Sequence, residues 1–112
     1  MRPTAHSRFA GRPGTRLTLL MNVRDHARHS SLEIELLKRA RKAKLAGATV
    51  FAGDEGFGAS GHLHSNHALS DDRPIALVIV DQAEKIEEFL DEVSDLLDGV
   101  LVTVEEVEIL DL

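Results

Sequence analysis

The chain of 112 residues has no cysteine, no tryptophan and no tyrosine, and it contains only four phenylalanines and three prolines. Without cysteine there is no disulfide framework, no thiolate metal site and no cysteine nucleophile. Phe9, Phe51, Phe57 and Phe89 are scattered, so no aromatic row is available to stack nucleic-acid bases, and the acidic second half of the chain argues further against that partner. No apolar run approaches the roughly 18 residues of a membrane span. Residues 1–14 carry Arg2, Arg8 and Arg12 but lack the apolar stretch of a secretory leader, and a cytoplasmic protein is expected.

What remains is the composition of a globular domain, with 43% hydrophobic and 29% charged residues, at a length that supports one core. The net charge of −6 conceals a segregation. Residues 1–46 hold eleven of the thirteen Lys and Arg against three acids, a net of +8, whereas the remainder holds two bases against sixteen acids, a net of −14. The two halves can present separate charged surfaces or neutralise each other within the fold or between subunits, and the packing reading is favoured.

Residues 1–14 mix Pro3, Pro13, Gly11 and Gly14 with arginines and show no apolar period, which predicts a flexible arm ahead of a domain over 15–112. Leu17, Leu19, Met21 and Val23 alternate as one face of a first strand. Ser30 and Glu33 have capping-box spacing, and Ile34, Leu37, Ala40 and Ala43, with Leu36 beside them, predict a helix to about Ala46 that Gly47 ends. Its other face, with Lys38, Arg39, Arg41, Lys42 and Lys44, must meet water or acids.

Ala48–Ala52 predicts a second strand and the wholly apolar Ile75–Val80 a third, covered on both faces or lying at a subunit contact. Asp81 and Glu84 repeat the capping spacing before a helix on Ile86, Phe89, Leu90, Val93 and Leu97 that closes at Gly99. In the last strand Val100, Val102 and Val104 share one phase and Val107 and Ile109 the other, so a bulge at Glu105-Glu106 is expected. The order β, α, β, β, α, β is that of the α+β ferredoxin-like sandwich, an antiparallel sheet with both helices on one face and right-handed crossovers. The uncovered face invites self-association.

Between the second and third strands lies a loop over 53–73, longer than such a connection needs and therefore a functional candidate. Gly56-Phe57-Gly58-Ala59-Ser60-Gly61 formally matches the dinucleotide fingerprint, but that motif opens a helix inside a βαβ unit and this one joins two strands. The glycines can still form a nest for an anion, with Ser60 and Arg73 as polar partners. His62, His64 and His67 could ligate zinc or copper, although neither a strand nor a helix aligns all three. Ser60, Ser65 or Ser70 can be combined with a histidine and Asp71 on paper, yet no nucleophile elbow supports hydrolysis, and the chain is read as no enzyme.

Ala46-Gly47-Ala48-Thr49-Val50 leading into Glu55-Gly56-Phe57-Gly58-Ala59-Ser60, then His64, Arg73-Pro74-Ile75, Asp81 and Glu84-Lys85-Ile86 resemble the PII-like family designated domain of unknown function 190, over about Leu17 to Leu110. The resemblance implies a ferredoxin-like trimer similar to PII signalling proteins, a regulator whose long loop meets ligands and partner proteins. On that reading Glu55, Gly56, Phe57, Gly58, Ser60, His64 and Arg73 contact a small anionic ligand, with nucleotides among the candidates, and by family analogy the partner is a membrane transporter. His64 sits where the family has a histidine. Val80-Asp81-Gln82-Ala83-Glu84 leaves no room for the second, lysine-containing glycine loop of nucleotide-binding PII proteins. A trimeric metal-ion-binding protein using His62, His64 and His67 is the alternative. Neither reading names a cofactor.

Overall fold

The computed structural model describes residues 8–22, 26–27, 30–53, 56–57, 63–64 and 73–112. Strand β1 spans Ala10–Asn22, helix α1 Leu32–Lys42, β2 Thr49–Ala52, β3 Pro74–Asp81, α2 Ala83–Val93 and β4 Leu101–Asp111, with a 3₁₀ turn at Ser94–Leu96. The four strands form one antiparallel sheet in the order β2-β3-β1-β4. This is the ferredoxin-like arrangement. No described helix is long and apolar enough to cross a membrane.

Strand periodicity puts Leu17, Leu19 and Met21 of β1 and Ile75, Leu77 and Ile79 of β3 under the helices. From above, α2 contributes Ile86, Phe89 and Val93, as its spacing predicts. In α1 the buried stripe is Leu32, Leu36 and Ala40, and Ile34 points to solvent. The predicted set of Ile34, Leu37, Ala40 and Ala43 advances in steps of three, which drift by roughly 60° each, so its ends cannot share a face. Val23 lies outside the described residues.

Both capping boxes are displaced. The N-caps are Ser31 and Gln82, one residue later than expected, and neither side chain bonds the helix end. Glu33 and Glu84 therefore occupy the second helical position, too early to reach back to the cap.

Helix α1 also stops before Gly47. Lys44 adopts a left-handed backbone (φ 60°), its N–H donates to the Arg41 carbonyl at 3.0 Å, and Leu45 N–H donates to the Ala40 carbonyl at 3.2 Å. This pair of bonds is a Schellman motif with lysine where glycine is usual. Lys44→Gly should therefore raise stability by about 0.5–1 kcal/mol, the relieved backbone strain outweighing the added freedom of the unfolded chain. A urea titration would read it as a higher midpoint at unchanged slope.

β1 starts at Ala10, inside the segment expected as an arm, because backbone pairing with β4 needs no apolar period. Pairing with β3 ends at Thr15↔Asp81, so residues 10–14 of β1 and 107–111 of β4 continue as a two-stranded ribbon. The register runs unbroken from Ala10↔Asp111 to Leu20↔Leu101, and the expected bulge at Glu105-Glu106 is absent. The change of apolar phase has another cause. Val107 and Ile109 lie opposite Gly14 and Arg12 on the face away from the helices, and a Cβ on Gly14 would stand 2.5 Å from the Ile109 Cδ1. The glycine leaves the space that Ile109 fills, so no slip in register is needed.

The charged halves do meet. Arg16 Nη2 donates to Glu105 Oε1 at 2.8 Å, Arg12 stands 3.6 Å from Asp111 and Arg39 3.6 Å from Asp95. Each of these pairs joins a cation of residues 1–46 to an acid of the second half. On α1, Lys38, Arg41 and Lys42 carry their charges at the surface.

Candidate functional site

The long connection leaves the sheet between β2 and β3. At its root Gly53 N–H donates to the Pro74 carbonyl at 2.8 Å, and a Cβ on Gly53 would stand 2.8 Å from Pro74 Cγ, so this close approach requires glycine. Arg73, beside Pro74, is exposed. Within the connection Gly56–Phe57 pairs antiparallel with Leu63–His64, Gly56 opposite His64 and Phe57 opposite Leu63. Three of the predicted contact residues, Gly56, Phe57 and His64, are thereby neighbours on one short ladder. The glycine motif begins in a paired extended segment and does not open a helix there, which removes the dinucleotide reading. Glu55, Gly58, Ser60, His62 and His67 lie outside the described residues.

The loop root borders the sheet face away from the helices. Strand register aligns Phe51, Ala76, Leu20 and Leu101 in one row across all four strands. Phe51 and Leu101 are each 57% exposed and Leu20 41%. The next row is Thr49, Val78, Thr18 and Thr103, and behind it Val80 lies beside the Arg16–Glu105 pair. An apolar row thus adjoins the loop, a hydroxyl row follows, and an ion pair closes the series. Sequence reasoning misses this row, although Leu20 and Leu101 are visible as apolar residues out of phase with their strands.

At the opposite end of β3 the Asp81 carboxylate, 8% exposed, accepts from Ala46 N–H at 2.8 Å through Oδ2 and from Gln82 N–H at 2.7 Å through Oδ1. It ties the turn after α1 to the start of α2. Only Gln82 separates β3 from α2, so the second glycine-rich loop of nucleotide-binding PII proteins has no place here, as the sequence predicts. Among the described residues no cluster of three or more His, Asp or Glu is arranged to hold a metal ion.

This sheet order, with both helices on one face and a long connection between β2 and β3, defines a PII-like ferredoxin fold. Solved structures agree. CPII, a nitrogen regulatory PII-like protein from Thiomonas intermedia K12 bound to ADP, AMP and bicarbonate, superposes with a TM-score of 0.71 over 92% of this chain and 93% of its own, at 16% identity. A putative PII-like signaling protein from Thermus thermophilus gives 0.66 over 88% and 90%, at 17% identity. The chain belongs to the DUF190 family, described as an uncharacterized ACR, whose pattern matches residues 14–109. It is 38% identical to a UPF0166 protein of Aquifex aeolicus (strain VF5) over 77 residues, 67% of this chain and 72% of that one.

Proposed function

We propose that this protein is a trimeric PII-like regulator of the cytoplasm, not an enzyme. Its loop over 53–73 binds a small anionic ligand at a subunit cleft and passes the bound state to a partner protein. The observation that carries this reading is the position of the loop root. It borders the exposed row of Phe51, Leu20 and Leu101, so a copy packed on that row brings its own surface against the loop.

In this reading Glu55, Gly56, Phe57, Gly58, Ser60, His64 and Arg73 line the ligand. Glycine backbone N–H groups receive the anion and Arg73 supplies charge. Ligand binding orders the loop and changes the surface offered to the partner, for which a membrane transporter is the candidate. The fold shared with CPII makes adenine nucleotides and bicarbonate the first compounds to try, although the short Asp81-Gln82 connection requires a different way of holding a nucleotide's phosphates.

A thermal-shift screen of nucleotides, bicarbonate, other small anions and metal ions tests the reading. A ligand at 100 times its dissociation constant adds about 2.7 kcal/mol to the native state, and a clear rise in Tm is expected for at least one anion. Flat responses throughout would remove the ligand switch. A shift with zinc or copper but no anion would instead favour ligation by His62, His64 and His67.

A further inference from the structure

We propose that the two helices form a docking surface for a second copy of this chain, the pair being related by a two-fold axis along the helices that lays each α1 on its partner's α2. The segregation of charge along the sequence, +8 over residues 1–46 and −14 over the remainder, is only partly neutralised within the fold. Arg12, Arg16 and Arg39 stand beside acids. Among the described residues no ion pair engages Lys38, Arg41 or Lys42 of α1, nor Glu84, Glu87, Glu88 or Asp91 of α2.

Both groups point away from the sheet. At 3.6 residues per turn Lys38, Arg41 and Lys42 fall opposite the buried stripe of Leu32, Leu36 and Ala40, and the four acids fall opposite Ile86, Phe89 and Val93. All of these charged residues are exposed. Lys38 and Lys42, Glu84 and Glu88, and Glu87 and Asp91 are each four residues apart, a spacing at which like charges repel. The acids of α1, Glu33 and Glu35, lie in its first turn, and the one cation of α2, Lys85, turns toward α1, where it donates to the Lys44 carbonyl at 3.3 Å. Each stripe thus gains from a counter-charge that its own helix does not supply.

Contacts between the helices fix the level of the two stripes. Arg39 Nη1 donates to the Glu92 carbonyl at 3.2 Å and Lys85 reaches the Lys44 carbonyl, so the helices run antiparallel with residues 38–44 beside residues 85–95. A two-fold axis parallel to the helices, between two facing layers, exchanges left and right without changing level. It sets Lys38, Arg41 and Lys42 of each copy over Glu88 and Asp91 of the other, and the contact is made twice. A two-fold axis across the helices would lay α1 on α1, cation against cation. Phe51, Leu20 and Leu101 lie on the opposite side of the sheet, so this contact is separate from the apolar row and leaves it open.

Sedimentation velocity of the full-length protein at about 50 mM and about 500 mM salt tests the pairing, because attraction between exposed charges is largely screened at the higher value. A concentration-dependent rise in mass is expected at low salt, read against the mass at high salt whatever that mass is, so the result does not depend on the trimer. Lys38→Glu with Lys42→Glu, and separately Glu88→Lys with Asp91→Lys, should each weaken the association at least about tenfold. An equimolar mixture of the two variants should restore it, since each supplies the charge that the other has lost. A chain carrying all of these changes should also associate, and its net charge stays at −6. Lysine and glutamate are both good helix formers and the positions are exposed, so the variants should fold, which circular dichroism would check. The proposal is overturned if the mass does not depend on salt, if either double variant associates like the wild type, or if the mixture and the fully exchanged chain both fail to associate.

Discussion

Leu20→Asp should convert the proposed trimer to a folded monomer. In the isolated chain Leu20 sits mid-row between Ala76 and Leu101 and keeps 41% of its surface exposed, so a carboxylate there remains solvated and costs the fold little. In an assembly packed through this face the same carboxylate would be buried without a cation, whereas the leucine contributes about 1.5–3 kcal/mol by burial. Light scattering after size exclusion would read the mass, and circular dichroism would check the fold. Phe51→Asp, at the end of the same row and next to the loop root, should act in the same direction. An unchanged trimer mass in both variants would mean that subunits meet elsewhere, and the placement of the ligand cleft would fall with it.

The second large effect is expected at Asp81. Asp81→Ala removes the acceptor of two backbone donors, Ala46 N–H and Gln82 N–H. Ala46 and Gln82 are themselves exposed, so water can take up both freed N–H groups, and a loss of about 1–2 kcal/mol is expected, that of the charge-assisted bonds and not of buried unsatisfied donors. Asp81→Asn keeps one acceptor oxygen and should recover part of that loss. Chemical denaturation of the three proteins would give the order wild type, Asn, Ala. If alanine cost less than about 1 kcal/mol, the carboxylate would not be what holds the turn after α1 to the start of α2.

Where one apolar period stands alone, the sequence is legible. β1 and α2 each carry a dominant phase, and Leu17, Leu19, Met21, Ile86, Phe89 and Val93 are buried as their spacing predicts. α1 offers apolar residues at 32, 34, 36, 37 and 40, which two helical faces can claim, and only the packing beneath selects Leu32, Leu36 and Ala40. The caps fall one residue beyond the predicted positions because neighbouring polar residues compete for the same backbone position. In β4 the apolar phase suggests a slipped register, whereas the cause lies across the sheet, at Gly14, which no local pattern in β4 can reveal.

Of the candidate site, the sequence by itself marked the loop and its glycines, because a long connection between adjacent strands and glycines that admit close backbone approach are local properties, whereas His64 is set apart from His62 and His67 only by the family resemblance. It also determined the order of elements and the core face of β1, since periods of two and 3.6 residues report which side of an element is buried, whereas the wholly apolar β3 carries no such period. Only the tertiary structure decided that Phe51, Ala76, Leu20 and Leu101 form one row beside the loop, that Asp81 serves two backbone donors, and that β4 runs straight past the end of β3. The reason is physical: a period assigns each residue to a face, but which residues of four separate strands lie side by side depends on the pairing register, set by contacts distant in sequence.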